Sequence, residues 1–188
     1  SNPTGITYSP ETVRRLARME TAAPDFMIMW DNAYAVHDFV EEGDHLADII
    51  AEARKYGHED RVFYFSSTSK ITFPGAGVAM MAMSARNLAH VRPYLGAETI
   101  GPDKLNQLRH VRFLPDKEAL VRHMRRHAEI IRPKFDILLA TMERELAPNG
   151  YATWTNPCGG YFVSLEVPEG CAARVWKLCR DAGLTLTD

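Results

Sequence analysis

Three short strand-like runs, Phe26–Trp30, Arg61–Phe65 and Val78–Met83, alternate with helical patterns, and this alternation constrains the fold more than any other property of the chain. An unbroken apolar run of about five residues is too short for a core helix and suits a strand covered on both faces. Helix starts lie between the runs. Ser9-Pro10-Glu11 combines a capping hydroxyl, a proline in the first turn and an acid at the positive helix end, and opens a helix to about Thr21 with Val13, Leu16 and Ala17 on its apolar side. Asp44 is the expected cap of a helix through Tyr56, stopped by Gly57, and Ser84 that of a helix toward Tyr94. Strands and helices in strict alternation predict right-handed crossovers and an α/β fold with a mostly parallel sheet.

Beyond Pro102 the pattern changes. Asp103–Arg112 is helical, and Asp116 to about Leu146 carries Leu120, Met124, Ile131, Phe135, Leu138, Leu139 and Met142 at helical spacing. Pro133 is expected to kink or split that helix, because it lacks an N–H and clashes with the preceding turn. A strand near Tyr151–Trp154, a turn at Asn156–Gly160, a strand Tyr161–Val167, a helix Cys171–Ala182 and the start of a last strand complete an α+β region. The expected division is residues 1–115, part of a large domain, and 116–188, part of a small one, joined by the long helix. Both sheets look incomplete, so the chain reads as a piece of a larger protein, poorly stable alone because its sheet edges are open.

Composition excludes several function classes. A net charge of −2 with mixed signs leaves no electrostatic footprint for nucleic acid or an anionic membrane. The basic cluster Arg122–His127 reads as the solvated face of a helix. No apolar stretch approaches the roughly 20 residues that span a bilayer, and no signal peptide is visible. Cys158, Cys171 and Cys179 read as free thiols of a reducing compartment, which makes the cytoplasm the expected location. Zinc is not expected, because the seven histidines form no H-x-x-x-H array beside the cysteines.

The chemistry gathers at Lys70, which stands in the run S-S-T-S-K-I-T-F-P-G-A-G from Ser66 to Gly77. Alone, such a segment reads equally as a polar loop with a surface lysine. Two further signals accompany it: S-N-P-T-G at Ser1–Gly5 and W-D-N-A-Y at Trp30–Tyr34. Pyridoxal phosphate requires a lysine for a Schiff base, an acid beside its pyridine nitrogen, donors to its phenolic oxygen and a cradle for its phosphate. Asp31 closes an apolar strand, where ligands bind in open α/β sheets, although an acid there can also cap a turn. Tyr34 and Asn2 can supply hydrogen-bond donors, with a rim tyrosine and an ordinary Asn-Pro turn as the alternatives. Ser67 can give its hydroxyl to the phosphate, beside the N–H groups near Gly75 and Gly77.

In this order N-P-T-G, D-N-A-Y and S-T-S-K resemble the fold type I pyridoxal-phosphate enzymes of the class I/II aminotransferase group. Finer detail, with S-K-I-T-F-P-G-A-G-V, G-P-D-K-L-N-Q-L-R-H (Gly101–His110) and P-C-G-G-Y-F (Pro157–Phe162), resembles the MocR-like branch, which includes bacterial aspartate aminotransferases. The resemblance covers the whole chain but only the middle and later part of such an enzyme. It implies a partial PLP-dependent transferase fold, Lys70 as the Schiff-base lysine and proton carrier, and Asp31 on the pyridine nitrogen. It further implies Asn2 and Tyr34 on the phenolic oxygen and Ser67 on the phosphate. The expected reaction moves an amino group from an amino acid, aspartate or another dicarboxylic one, to a 2-oxo acid, in a homodimer. A lyase or decarboxylase on the same scaffold, or the ligand-sensing half of a transcription regulator, are the alternatives. One position departs from the pattern: many members carry a phosphate-anchoring arginine eight residues after the lysine, where this chain has Val78. Lys104 is a candidate substitute, and His37, close to Tyr34 in sequence, reads as a packed or solvent-facing histidine. The family's upstream phosphate loop and its C-terminal carboxylate-binding arginine have no counterpart in these residues.

Overall fold

The structure, a computed structural model, describes residues 2–40 and 43–187. Ser1, the first residue of the opening motif, lies outside them. Helix α1 (Pro10–Arg18) starts at Ser9, whose hydroxyl accepts from the Thr12 N–H, and buries Val13 and Ala17. Strand β1 (Ile28–Asp31) follows, then the short helix α2 (Ile49–Arg54) and strand β2 (Val62–Ser67). Strand β3 (Ala79–Met83) leads into α3 (Ala85–Thr99), α4 (Lys104–Phe113) and the 29-residue α5 (Lys117–Glu145). A two-strand ribbon of β4 (Thr153–Trp154) and β5 (Leu165–Glu166) precedes α6 (Ala172–Asp181). No helix among the described residues is long and apolar enough to cross a membrane.

The sheet corrects the expectation of mostly parallel strands. Its order is β1-β2-β3; β1 runs parallel to β2, with Asp31 opposite Phe65, but β3 is antiparallel, with Ser67 opposite Ala79. The connections explain the difference. A parallel step needs a long crossover, usually a helix, and α2 supplies one between β1 and β2. The segment from Thr68 to Val78 turns straight back, so β3 can only return alongside β2. Helices dominate the remainder.

The core is small and local. Val13, Ala17, Trp30, Ile49, Ala53 and Val62 form one cluster where α1 and α2 cover one face of β1 and the start of β2. Burying one aliphatic side chain of this kind contributes about 1.5–3 kcal/mol. The last carbonyls of α1 have no partner within the helix, and distant side chains supply it: His58 Nδ1 bonds Ala17 O at 3.0 Å and Arg61 donates to Met19 O at 3.0 Å. The other face of the sheet is open, with Met29 66% exposed, so β1 is not covered on both sides as its apolar run suggested.

Three further expectations are revised. The second helix is capped by Asp48, which accepts from Ile50 and Ala51, not by Asp44, and it ends before Tyr56. Pro133 does not split α5. It costs the bond to the carbonyl of Glu129, but that residue is exposed and water can replace the partner, while Met124 and Met142 are buried and Phe135 packs on Phe39 at 4.8 Å. Only Leu165–Glu166 of the expected Tyr161–Val167 strand is paired, and residues 184–187 form no strand.

Candidate functional site

Where β1 and β2 end side by side, their carboxyl ends place Asp31 and Ser67 on one rim of the sheet. The two strand ends are tied beyond their ladder: Asn32 N–H donates to Phe65 O at 2.9 Å, the Ser66 hydroxyl to Asn32 O at 3.0 Å, and the Asn32 amide to the Tyr64 hydroxyl at 2.6 Å. Asp31 is exposed, and one of its oxygens accepts the Ala33 N–H at 3.2 Å, so it does cap the following turn, while among the described residues its other oxygen makes no hydrogen bond. Tyr34 lies in that turn. Burial pushes its hydroxyl above the usual phenol range, helped by Tyr161 and by the Asp31 charge, so the phenol keeps its proton.

After β2 the chain makes one helical turn. The N–H groups of Ile71 and Thr72 donate to Thr68 O at 2.9 and 2.8 Å, which places Lys70 on the outer side of the turn. Lys70 is exposed, and among the described residues its amine makes no hydrogen bond or ion pair. The base of the loop is closed by Thr68, whose N–H donates to Val78 O at 2.9 Å and whose hydroxyl accepts from Val78 N–H at 2.8 Å. Gly77 fits against this closure: a Cβ there would lie 3.1 Å from Thr68 Oγ1 and 3.2 Å from Ser69 N. Ser67 Oγ donates to Ser69 Oγ at 3.2 Å and accepts the Ser69 N–H at 3.4 Å, so two hydroxyls and an N–H stand together at the strand end.

Side chains to which the sequence assigned no role at the site hold the lysine turn, and of the two readings of His37 the packed one is met. His37, 4% exposed, meets Lys70 O through Nε2 at 3.0 Å, and the Tyr161 hydroxyl donates to the same oxygen at 3.2 Å. His123 on α5 reaches Ile71 O through Nε2 at 2.7 Å. A carbonyl can only accept, so His37 and His123 both carry their proton on Nε2. Burial holds His37 below the ordinary imidazole range, opposed by the carbonyls of Lys70 and Tyr34; the latter lies nearby but outside hydrogen-bonding geometry for Nδ1, which is buried without a partner. On the opposite side, His110 of α4 bonds the hydroxyls of Thr68 and Thr72 at 3.0 and 2.8 Å, and Asn106 donates to Gly77 O at 2.9 Å. Lys104, on the first turn of the same helix, is exposed and makes no contact of this kind. The Gly77–Val78 side of the loop is held by Asn106 and His110.

The Arg122–His127 cluster is only partly a solvated face. Its arginines are exposed, but His123 and His127 turn inward, 4.6 Å apart, and His127 Nδ1 sits 3.4 Å from the Tyr161 hydroxyl. Their four-residue spacing was the available signal, since it puts both rings on one helix face. Burial, with His123 and His37 beside it, holds His127 low.

Asn2 is reached indirectly. It lines a cavity together with Phe162 and Trp176, and the Phe162 ring meets Tyr34 edge-on at 5.9 Å. The turn before Phe162 is locked to the segment after Tyr34: Gly160 N–H donates to His37 O at 3.0 Å, and Phe39 N–H to Cys158 O at 2.8 Å. Gly159 permits this approach, because a Cβ there would come within 2.9 Å of Asp38 Cα. The structure thus brings Asp31, Tyr34, Ser67 and Lys70 to one rim, and Asn2 lines a cavity that shares Phe162 with the Tyr34 cluster.

The sequence profile described as aspartate amino-transferase matches residues 1–188. A protein of Mycolicibacterium smegmatis designated an aminotransferase is 49% identical over 188 residues, all of this chain and 44% of its own length. The aspartate aminotransferase of Corynebacterium glutamicum is 46% identical over 187 residues, 43% of its length. The crystal structure of an aspartate transaminase from that organism superposes with a TM-score of 0.93, covering 100% of this chain and 44% of the other. An α-aminoadipate aminotransferase from Thermus thermophilus, complexed with N-(5'-phosphopyridoxyl)-L-leucine, matches at 27% identity and a TM-score of 0.75, with 98% of this chain and 46% of that one covered. The chain spans less than half the length of these relatives. With a profile match from end to end and a relative nearly half identical across every position, the chain belongs to the aspartate aminotransferase family.

Proposed function

We propose that the protein is a pyridoxal-phosphate-dependent aminotransferase that moves an amino group from an amino acid, aspartate or another dicarboxylic one, to a 2-oxo acid. The observation that carries this reading is the placement of Lys70 on an ordered turn whose backbone is bonded to the two rings that flank Tyr34, next to the strand end bearing Asp31. The residues fit the cofactor: a free amine, an exposed carboxylate with one oxygen unbonded among the described residues, a phenol that keeps its proton, and a strand end with two hydroxyls and an N–H.

When bound, pyridoxal phosphate supplies an electron sink for the pair left as a bond to the substrate α-carbon breaks. Lys70 Nζ is the group for covalent attachment and for carrying the α-proton. Asp31 would stand by the pyridine nitrogen and favour its protonated form. Tyr34 and Asn2 would donate to the phenolic oxygen, and Ser67, with the N–H groups near Gly75 and Gly77, would take the phosphate. Asn106 and His110 keep that loop in shape where an arginine is missing. Residues 1–115 then form part of the large domain and 116–188 part of the small one; α5 begins at Lys117, next to that division. A homodimer in the cytoplasm is the matching assembly and location.

The experiment is visible spectroscopy of the full-length protein with added pyridoxal phosphate, for wild type and Lys70→Ala, before and after aspartate. A band that needs Lys70 and is lost as oxaloacetate appears supports amino transfer. Carbon dioxide release without oxaloacetate points to a decarboxylase, and a band indifferent to every amino acid to a sensor. No band at all refutes the cofactor.

A further inference from the structure

Lys70 combines a fixed base with a free tip. Its carbonyl accepts from His37 and Tyr161, the next carbonyl accepts from His123, and the turn closes on Thr68 O. Both lone pairs of Lys70 O are therefore used, so the Lys70–Ile71 peptide plane cannot rotate without breaking a bond. Beyond Cα the lysine stem is exposed and its amine unpartnered. A group that must both form a bond and carry a proton needs this combination: the stem swings, but from one origin.

The two donors come from remote parts of the chain. His37 lies 33 residues before Lys70 and Tyr161 lies 91 after it. Both rings also pack edge-on to Tyr34, at 5.2 and 5.6 Å, and to each other at 5.3 Å. Tyr161 sits directly after the turn whose backbone is hydrogen-bonded to His37 and Phe39. A water molecule could satisfy the carbonyl of a surface turn. Instead a buried imidazole does so, at the cost of leaving its Nδ1 unpaired. That arrangement costs stability and gains rigidity at one point, the Lys70 peptide.

We propose that His37 and Tyr161 are positioning residues, a two-donor clamp on the Lys70 carbonyl that holds the lysine backbone and the Tyr34 ring as one unit and ties both to the 157–162 turn. The proposal rests on Lys70 being the cofactor lysine, but the clamp itself can be tested without cofactor. Misplacing a reacting group by about 1 Å from outside the chemistry costs on the order of 100-fold in rate. In the full-length holoenzyme, the double variant His37→Leu/Tyr161→Phe is expected to lose about 100-fold in kcat for transfer from aspartate to 2-oxoglutarate, with KM changed less than about threefold. The circular dichroism of its visible band weakens while absorbance is retained, because occupancy persists and orientation does not. His37→Gln keeps an N–H donor and restores most of kcat where His37→Leu does not.

Tyr161→Phe removes one oxygen and leaves the aromatic packing, so it decides the matter if the double variant folds poorly; about a tenfold loss in kcat is expected. In cofactor-free protein the same single variant exchanges the amide hydrogens of Ile71 and Thr72 about tenfold faster. Wild-type kcat and dichroism in Tyr161→Phe, or equal harm from Gln and Leu at position 37, would overturn the clamp. A wild-type protein without a Lys70-dependent band would refute the functional reading instead, and unchanged amide exchange would still refute the clamp on its own.

Discussion

Replacing Gly159 by alanine tests whether the turn before Tyr161 is seated as tightly as the geometry requires. The added methyl would stand 2.9 Å from Asp38 Cα and 3.0 Å from the His37 carbonyl carbon, both main-chain atoms that cannot step aside. Gly159 does not have a left-handed backbone, so alanine suits its conformation and the cost comes from contact alone. Forcing a methylene-sized group into filled space costs about 1–3 kcal/mol. The turn can escape only by lifting, which strains the Gly160-to-His37 and Phe39-to-Cys158 bonds of 3.0 and 2.8 Å, each worth about 0.5–1.5 kcal/mol. Together these lower the local opening free energy by about 2–6 kcal/mol, a loss of roughly 30- to 20,000-fold in protection. Amide exchange of Phe39 and Gly160 in the full-length protein reads that loss directly. Gly96→Ala is the control: nothing lies within 4 Å of its added carbon, it sits inside α3, and it is expected to stabilise by about 0.5–1 kcal/mol. Wild-type protection at Phe39 and Gly160 in Gly159→Ala would refute the close approach and weaken the route by which Tyr161 reaches Lys70.

The other predictions concern the core, a cap, pH and association. Ile49→Ala, at a fully buried position, should cost about 2–5 kcal/mol in urea unfolding. Asp48→Ala removes both N–H partners of α2 and should cost about 1 kcal/mol by the same measurement, whereas Asp44→Ala should change little. His37 and His127 are both held below the ordinary imidazole value, so the unfolded chain takes up protons first as pH falls. Stability from these two groups is therefore complete above about pH 6.5 and declines below it until the folded-state value is passed, and exchange of the Lys70 turn followed from pH 7.5 to 5 should show the decline. His37→Gln should flatten that dependence. Expressed by itself, the 188-residue chain should associate through its open sheet face and edge strands, where Met29 and Met80 are exposed; a monodisperse monomer with one cooperative transition in light scattering and calorimetry would count against this.

The helix starts at Ser9, Ser84, Asp103 and Asp116 were legible in the sequence, and each accepts an N–H from its own first turn. A cap is satisfied within three residues, so local sequence is enough to specify it. The lysine loop and the strand-end acid were legible for a similar reason: short motifs at strand ends carry their own geometry. What tertiary structure alone decided lies between residues far apart. The direction of β3 depended on whether the Thr68–Val78 segment could cross the sheet, which no apolar pattern encodes. Asp48 rather than Asp44 caps α2 because Ile49 and Ala53 must face Val13 and Trp30 in the one cluster. The basic run at Arg122–His127 reads as polar in one dimension, yet two of its histidines turn inward toward the lysine turn and Tyr161. The bonds from His37 and Tyr161 to Lys70 close loops of 33 and 91 residues, contacts whose worth appears only after the chain has folded around them. Sequence by itself marked the residues proposed to carry the chemistry; the tertiary structure decided which others hold them still, because a hydrogen bond to a main-chain carbonyl asks only for a donor in place and leaves no motif behind.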